Sequence, residues 1–290
     1  MIRIGIIGAE NTHSAAIART INVNKLVPGC RVVAIWGETD ELATRTAEAG
    51  EIPTIVNKTT DMLGMIDALI VDHRHAKYHL PAAAPFLEAK LPMFIDKPFC
   101  YRLADGKAFL ARARKLGVPV TSYSSVPTQK QFAAFVKKVG KAGAVRSCGT
   151  AGTVDLKSPY GGVFFYGIHQ VDMILEAFGT DVTAVAVDTA RGSEHATASL
   201  FFTDGKVATM HCLKGANTGF QIFAVTDDGP VAAKIASDAN PYLTSTRRFC
   251  QMFKTGVEPV DHQRILAPVA VLEAMDKAIR TGKTVRVEKI

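Results

Sequence analysis

Apolar and polar residues follow one pattern over the first 124 residues of the chain and a different pattern after them. In the first part, short runs rich in β-branched residues alternate with stretches whose apolar residues recur at helical spacing. The short runs are 3–9, 31–36, 54–56, 67–71, 93–95 and 118–121. Strands that alternate with helices are typical of a parallel sheet. Residues 1–124 are therefore predicted to form a Rossmann-like, doubly wound domain.

In the second part, apolar and polar residues alternate over longer segments, which indicates half-buried strands. The turn sequences TDGK at 203–206 and DDG at 227–229 separate such segments and favour hairpins. Helical stretches precede and follow the strands. Residues 125–290 are therefore predicted to form an α+β domain built on a largely antiparallel open sheet. The whole chain would then be an α/β protein of two domains.

The composition is that of a globular protein with a mild excess of positive charge. The 290 residues are 48% hydrophobic and 21% charged, which suffices for packed cores and shows no sign of disorder. Basic residues exceed acidic ones by 34 to 27, a net charge of +7, but they are scattered along the chain. Since a nucleic-acid-binding protein concentrates them on one face, the excess favours attraction of small anions instead.

Cysteine usage and hydropathy predict a cytoplasmic protein. The five cysteines are odd in number, far apart and free of CxxC spacing, which argues against a disulfide framework or a zinc site. The chain begins without a charged and apolar leader, and no apolar run reaches membrane-spanning length. We expect neither a membrane nor a nucleic acid as partner.

The first predicted strand runs into a glycine turn, which predicts a dinucleotide site. A helix that begins after Asn11 or Thr12 would bring its N-terminus to the pyrophosphate. The G-x-G-x-x-G fingerprint is incomplete, because Glu10 and His13 follow Gly8 at the second and third glycine positions. Glu10 would bring a carboxylate close to the diphosphate unless it turned outward, whereas His13 could donate a hydrogen bond to phosphate. The alternative is a Rossmann-like fold without a dinucleotide. The predicted cofactor residues of this turn are Gly8, Ala9, Glu10, Asn11, Thr12 and His13.

Two further residues at strand ends are predicted to contact the cofactor. Glu38 follows the second strand, where an acidic residue accepts hydrogen bonds from the adenosine ribose and repels a 2′-phosphate. NAD is therefore predicted before NADP; the alternative is an acidic residue that merely precedes a helix. His73 opens a segment of three histidines after the 67–71 strand. Their spacing matches no closed metal site, so no metal is predicted. His73 would form a cationic rim for a phosphate or anionic substrate, or else an ordinary solvated loop.

Lys97 is the first candidate for catalysis. The apolar run 93–95 precedes Asp96, Lys97 and Pro98, and proline has no N–H with which to continue a strand. Lys97 is thereby expected at the carboxyl end of a strand, where open α/β sheets bind their ligands. A desolvated lysine can move a proton, so Lys97 is predicted to contact cofactor and substrate and to take part in catalysis. The alternative is a lysine that ends a strand in solvent.

A second candidate lies on a helix in the second domain. Tyr166, His169 and Asp172 are three residues apart and therefore share one helical face. A histidine between a phenol and a carboxylate is a plausible proton-transfer unit. The alternative is a core histidine that Asp172 satisfies. Lys157 and Tyr160, in the loop before this helix, are predicted with His169 and Lys97 to contact substrate.

These motifs resemble the Gfo/Idh/MocA family of oxidoreductases, named for glucose–fructose oxidoreductase and inositol dehydrogenase. Asp96-Lys97-Pro98 is similar to the family's EKP segment, and Gly161-Gly162 with Gly167-x-His169-x-x-Asp172 is similar to its glycine-rich segment. The resemblance implies that Lys97 is the catalytic lysine. It also implies an NAD-dependent hydride transfer at a secondary alcohol of a sugar, polyol or sugar acid, and a homodimer or homotetramer formed through the C-terminal sheet.

The chain departs from this family at several positions. Besides Glu10 and His13, Gly37 stands where the ribose-binding acid usually lies, and Phe165 stands at the catalytic aspartate four residues before the histidine. We expect Tyr166 and Asp172 to take over part of the role of that aspartate. Two alternatives remain open. One is a glycosidase that oxidises and re-reduces a single carbon without net NADH, and the other is a ligand-binding or sensing relative with little or no turnover.

Overall fold

The computed structural model describes residues 1–189, 193–216 and 219–290. These residues form two compact units, Met1–Tyr123 with Tyr242–Ile265, and Ser124–Pro241 with Leu266–Ile290. Within the described ranges, no helix is long and apolar enough to cross a bilayer. The α/β fold class, with a Rossmann-like parallel sheet first and a sheet-rich part after it, is confirmed.

The first unit contains a six-stranded parallel sheet in the order β3-β2-β1-β4-β5-β6. Its strands are β1 (Ile2–Ile7), β2 (Cys30–Trp36), β3 (Thr54–Ile55), β4 (Ala68–Val71), β5 (Met93–Ile95) and β6 (Val120–Thr121). Its first four helices are α1 (Thr12–Ala18), which continues as a π-helical turn over Arg19–Val23, α2 (Asp40–Gly50), α3 (His79–Glu88) and α4 (Leu103–Leu116). The strand order reverses at β1, which pairs with β2 on one side and β4 on the other. The carboxyl ends of β1 and β4 therefore form the crevice in which such sheets bind ligands.

The central strands are buried on both faces, which explains their unbroken apolar runs. All four residues of β4 and all but the first two of β1, Gly5 included, are buried. Helices cover both faces of a parallel sheet, so its strands lose the alternation of apolar and polar residues. This burial leaves polar side chains only at the strand ends, and it is there that the candidate site lies.

The second unit contains a seven-stranded sheet in the order β12-β11-β7-β10-β9-β8-β13. Its strands are β7 (Val145–Gly152), β8 (Val182–Thr189), β9 (Ala196–Phe202), β10 (Val207–Cys212), β11 (Phe220–Thr226), β12 (Gly229–Ile235) and β13 (Val285–Arg286). Among the described residues, β7 and β10 pair in parallel and the other neighbours pair antiparallel. The helices are α5 (Lys130–Val139), α6 (Val163–Phe178) and α8 (His262–Thr281), of which the part from Leu266 onward belongs to this unit. Alternate residues of β9 are buried, as the alternating pattern predicts.

One helix from the C-terminal part of the sequence belongs to the first unit. The sequence-based division at 124/125 counts α7 (Leu243–Thr255) with the second domain, whereas the helix packs on the parallel sheet of the first. Phe249 of α7 is fully buried, and its ring stacks on Phe94 of β5 with centroids 4.5 Å apart. Helical periodicity predicts the helix but not which sheet buries its apolar face, since either sheet could do so.

Candidate active site

Gly8 makes the turn from β1 to α1. Its φ of 108° lies in the region that favours glycine, and a Cβ there would lie 2.7 Å from the backbone carbonyl of Asp72. The turn and the end of β4 therefore approach each other as closely as backbones allow. A side chain at this position would force the crevice open.

The carboxylate of Glu38 faces this turn. Its Oε2 accepts hydrogen bonds from the backbone N–H groups of Ala9 at 2.8 Å and Glu10 at 2.9 Å. Its Oε1 lies 3.0 Å from Nδ1 of His73. Burial would raise the pKa of Glu38, but the hydrogen bonds from His73 and the backbone outweigh it and lower the pKa to about 2. Glu38 is therefore an ionised carboxylate that joins the end of β2 to the turns after β1 and β4.

The position of Glu38 explains one departure from the family pattern. A Cβ at Gly37 would lie 2.9 Å from the side chains of Ala9 and Ala43, so the turn after β2 has no room for a side chain there. The acidic residue stands one position later. Glu38 directly precedes Thr39, which is the N-cap of α2 and accepts from the N–H of Leu42, while the Glu38 carboxylate itself accepts from the turn after β1.

The two residues that replace fingerprint glycines have partners of their own. An oxygen of the Glu10 carboxylate lies 4.0 Å from the Arg74 guanidinium, which offsets its charge. Nδ1 of His13 lies 3.3 Å from Oδ1 of Asp96. Burial lowers the pKa of His13, and the charge of Lys97 lowers it further, so the imidazole is neutral at neutral pH. Because a carboxylate only accepts, His13 donates from Nδ1 to Asp96. A hydrogen bond from its other nitrogen to a phosphate stays a prediction.

Asn11 connects two buried carboxyl groups. It occupies the N-cap position of α1, but its side chain makes no capping hydrogen bond there. Its Nδ2 instead donates to Oδ1 of Asp72 at 2.8 Å and to Oδ2 of Asp96 at 3.2 Å. Ser14 adds a third link, since its hydroxyl lies 2.6 Å from the Gly8 carbonyl oxygen and 2.5 Å from Oδ2 of Asp72.

Lys97 is buried at the end of β5. It is 8% exposed, so the alternative of a lysine that ends the strand in solvent does not hold. Its Nζ lies 3.4 Å from Oδ2 of Asp96, which is itself buried. Burial would raise the pKa of Asp96, but the charge of Lys97 and the contact with His13 outweigh it, so this pKa lies well below its usual range. Lys97 and Asp96 form a buried ion pair.

His79 braces this arrangement from α3. Its two ring nitrogens lie 2.9 Å and 2.8 Å from the carbonyl oxygens of Pro98 and His73. Burial lowers the pKa of His79 to about 4, so the neutral ring lies between the two turns and donates to one of these carbonyls. The histidine segment is thus partly structural, and His73 is buried against Glu38, not part of a solvated loop.

Three residues of this cluster lie close enough together to hold a metal ion. His13, Asp72 and Asp96 each offer a ligand atom, and these atoms lie within 4.8 Å of one another. The Asn11 amide and the Lys97 ammonium already contact the carboxylate oxygens, however, and an ammonium beside the cluster opposes a cation. The geometry is that of a hydrogen-bonded charge cluster, and the expectation of no metal stays a prediction.

The second candidate patch lies on α6. His169 is 6% exposed, and its Nδ1 lies 2.7 Å from the hydroxyl oxygen of Ser124. The backbone N–H of Ser124 donates to Oδ2 of Asp172 at 2.8 Å. Ser124 therefore links the imidazole to the carboxylate that was predicted to support it.

Aromatic rings surround His169. The ring of Tyr166, which is 41% exposed, has its centroid 5.7 Å from the imidazole, and the ring of Phe220 lies 5.2 Å from it. Phe165, at the family's aspartate position, contacts the rings of Tyr160 and Tyr166 at 4.9 and 4.8 Å. The structure thus brings Tyr160, Tyr166 and His169 into one cluster. Lys157 lies exposed on the loop before α6.

Three polar residues of these patches were missed from the sequence. Asp72 is the first polar residue after the β4 run, and Ser124 follows β6 closely, so their position after strand ends was an available signal. Ser14 shares the buried face of α1 with Ile17 and Ala18, where a polar residue calls for a partner. The side-chain contacts Ser14–Asp72 and Ser124–His169 join residues 58 and 45 positions apart, which is why periodicity did not reveal them.

The ionised state of Glu38 predicts a pH-dependent effect on stability. Because its pKa is lowered, its stabilisation is present above the ordinary pKa of 4.5 and is lost as the pH falls toward 2. Glu38→Gln should lower the free energy of unfolding by about 3 kcal/mol or less at pH 7, and by much less near pH 3. Urea unfolding at both pH values measures this difference. The matched control is the exposed Glu41→Gln on α2, and equal losses at the two pH values would contradict the role of the charge.

The fold is shared with solved dehydrogenase structures of low sequence identity. The myo-inositol dehydrogenase of Lactobacillus casei, in complex with NAD(H) and myo-inositol, superposes with a TM-score of 0.84 at 16% identity, covering 100% of this chain and 98% of that chain. The myo-inositol 2-dehydrogenase of Lactobacillus plantarum gives 0.84 at 16%, with 99% of each chain covered. An oxidoreductase of Agrobacterium radiobacter, in complex with NAD⁺, L-tartaric acid and magnesium, gives 0.78 at 15%, covering 99% and 98%. At these identities the likeness concerns the fold.

Sequence comparison finds an oxidoreductase family for the first part of the chain. The uncharacterized oxidoreductase YhhX of Escherichia coli (strain K12) is 29% identical over 171 residues, which are 50% of this chain and 47% of that protein. The match thus spans about half the length of this curated relative. Residues 2–124 match the model of an oxidoreductase family with an NAD-binding Rossmann fold. The resemblance predicted from the motifs is confirmed over these residues, which match the Gfo/Idh/MocA family of oxidoreductases.

Proposed function

We propose that this protein is an NAD-dependent oxidoreductase that transfers a hydride between nicotinamide and a secondary alcohol of a sugar, polyol or sugar acid. The observation that carries the proposal is the buried Lys97–Asp96 ion pair at the carboxyl edge of a Rossmann sheet. Relatives in fold that were solved with myo-inositol or L-tartaric acid support the substrate class.

The residues at the carboxyl ends of β1 and β2 fit NAD. Gly8 lets the backbone approach closely, and the ionised Glu38 can accept hydrogen bonds from the adenosine ribose. Its negative charge opposes a 2′-phosphate, so NAD is favoured over NADP. Since the N–H groups of Ala9 and Glu10 already serve Glu38, we assign the diphosphate to the start of α1 at Thr12. The Arg74 guanidinium reduces the repulsion from Glu10.

Lys97 has the chemistry for stabilising an alkoxide. NAD, when bound, supplies the hydride acceptor or donor. Loss of hydride from a secondary alcohol requires that the hydroxyl proton leave and that negative charge on oxygen be stabilised. The Lys97 ammonium, held by Asp96 in a buried site, provides a positive charge that water screens little. We assign Lys97 to binding the substrate oxygen and stabilising its charge.

His169 is the candidate for accepting the hydroxyl proton. Its Nδ1 is held by Ser124, so we assign proton transfer to Nε2. Tyr166, beside it and partly exposed, is the candidate for contacting substrate, with Tyr160 and Lys157 on the preceding loop. Asp172 acts on the imidazole through Ser124 in this proposal. Association of copies through the second unit's sheet and a cytoplasmic location stay predictions.

A ligand-binding relative without turnover is the second candidate function. It is favoured by Phe165, which packs among aromatic rings where the family carries a carboxylate. Such a protein would bind NAD or a sugar and convert nothing. Measured turnover separates the two functions.

Cofactor binding is the first test. We expect NAD to bind with roughly micromolar affinity and NADP more weakly, because Glu38 opposes the 2′-phosphate. Titration calorimetry measures both affinities. Glu38→Gln should reduce the preference for NAD over NADP, whereas Glu41→Gln should leave it unchanged.

Turnover is tested by incubation with polyols, sugars and sugar acids, read by NADH absorbance. A folded protein that binds neither nucleotide would overturn the proposed function, and aglycone release without net NADH would favour the glycosidase alternative.

Lys97 is the second test. Lys97→Ala should bind NAD but lose about 10²- to 10⁴-fold in kcat/KM, the usual effect of removing such a group. Lys97→Arg should be nearly as poor, since a planar guanidinium does not place its charge where the compact, buried ammonium has it. Kinetics on the true substrate measure this, and the exposed Lys115→Ala is the control for charge alone. Ordinary activity in Lys97→Ala would remove Lys97 from the mechanism.

The pair of Ser124 and His169 is the third test. Ser124→Ala removes the hydroxyl that holds Nδ1, so kcat/KM should fall by roughly tenfold and its pH profile should change. His169→Ala should cost more, and the double variant little beyond that, since residues that act as one unit are not additive. Ser125→Ala, one position along, is the matched control. If the two single losses multiply in the double variant and the pH profile does not change, the contact between Ser124 and His169 is structural.

A further inference from the structure

The hydroxyl of Ser14 has more acceptors than it has protons. Its oxygen lies 2.6 Å from the carbonyl oxygen of Gly8 and 2.5 Å from Oδ2 of Asp72. A carbonyl oxygen and an ionised carboxylate only accept hydrogen bonds, and a serine hydroxyl has one proton to donate. With Asp72 ionised, one of these two short contacts would join two oxygens without a hydrogen between them.

A proton on Asp72 satisfies both contacts. Oδ2 of Asp72 then donates to the Ser14 hydroxyl, which in turn donates to the carbonyl of Gly8. Oδ1 of Asp72 remains an acceptor for Nδ2 of Asn11 at 2.8 Å. The second hydrogen of this amide reaches Asp96 at 3.2 Å. Every hydrogen bond in the series that runs from the Gly8 carbonyl through Ser14, Asp72 and Asn11 to Asp96 then has a donor and an acceptor.

The surroundings of Asp72 favour its neutral form. Asp72 is 1% exposed, and the ionised Asp96 lies across the shared Asn11 amide. Burial and the negative charge of Asp96 raise the pKa of Asp72 well above its usual range. The other titratable groups that face it are His13 of α1, 3.9 Å away, and Lys97 at the end of β5. Lys97 opposes this effect but is paired with Asp96.

We infer that Asp72 is protonated in the native protein and that this neutral acid is a positioning residue, which holds the Gly8 turn through Ser14. The turn is the one whose glycine packs against the Asp72 backbone. When Asp72 loses its proton, its carboxylate competes with the Gly8 carbonyl for the single Ser14 hydrogen. The turn then loses one of its hydrogen bonds. The effect of this loss on dinucleotide affinity rests on the proposed function, whereas the protonation itself does not.

Asp72→Asn is the informative variant, because an amide donates to Ser14 and accepts from Asn11 as the neutral acid does. Above the ordinary aspartate pKa of about 4, the unfolded chain releases a proton that the native chain keeps. The native protein should therefore lose stability relative to Asp72→Asn as the pH rises from about 5, by up to about tenfold in the unfolding constant per pH unit. Urea unfolding over this pH range measures the slope. The exposed Asp105→Asn on α4 should show no such slope.

The sign of this slope decides the inference. A stability difference that does not change with pH, or that changes in favour of the native protein as the pH rises, means that Asp72 is ionised and overturns it. If Asp72→Asn fails to fold, infrared spectra of the unmodified protein with isotope-labelled aspartate decide instead. A protonated carboxyl band that shifts with the label at pH 7 supports the inference, and its absence overturns it.

Nucleotide binding tests the positioning role. The affinity for NAD should fall as the pH rises in the native protein but not in Asp72→Asn, and Ser14→Ala should bind NAD more weakly at every pH. Equal pH dependence in the native protein and Asp72→Asn overturns the positioning role. If no variant binds NAD at any pH, the proposed function fails, while the unfolding slope and the infrared band still decide whether Asp72 carries a proton.

Discussion

The organisation of the site depends on the burial of one ionised carboxylate. Asp96 is 4% exposed, and a charge in such a place is costly unless it is paired and hydrogen-bonded. The Lys97 ammonium, His13 and the Asn11 amide supply these contacts. The three partners come from the end of β5 and from the start of α1. The charge of Asp96 therefore couples the predicted cofactor turn to the predicted catalytic lysine.

The same burial explains why His13 stands at the third glycine position of the fingerprint. Glycine at position 13 and a small residue at position 11 would leave the carboxyl groups of Asp96 and Asp72 without the donors they now have. Conversely, Asp72 provides an acceptor for the Asn11 amide at the start of α1. The non-glycine residues of the turn and the buried aspartates are two parts of one arrangement. On this view the departures from the fingerprint do not indicate a decayed site.

Local patterns predicted the parts of the structure that depend on neighbours in sequence. The parallel sheet, the largely antiparallel second sheet, the Gly8 turn and the strand end at Lys97 all follow from runs of a few residues. Ser14 and Ser124 could not be placed in this way, because their partners lie 58 and 45 residues away. The packing of Phe249 on the first sheet was missed for the same reason. The reason why the acid stands at Glu38 could not be seen in the sequence. It is a distance in the structure, because a Cβ at Gly37 would lie too close to Ala9 and Ala43.

The group that holds His169 affects how well the imidazole can carry a positive charge in the proposed reaction. A carboxylate beside a histidine stabilises the imidazolium that forms when the ring accepts a proton. Phe165 cannot do this, and Ser124 offers a hydroxyl, which carries no charge. The Ser124 hydroxyl therefore supports a positive charge on the ring less than a carboxylate in direct contact would. In the proposed reaction the charge on the alkoxide is stabilised by Lys97, which is paired with Asp96.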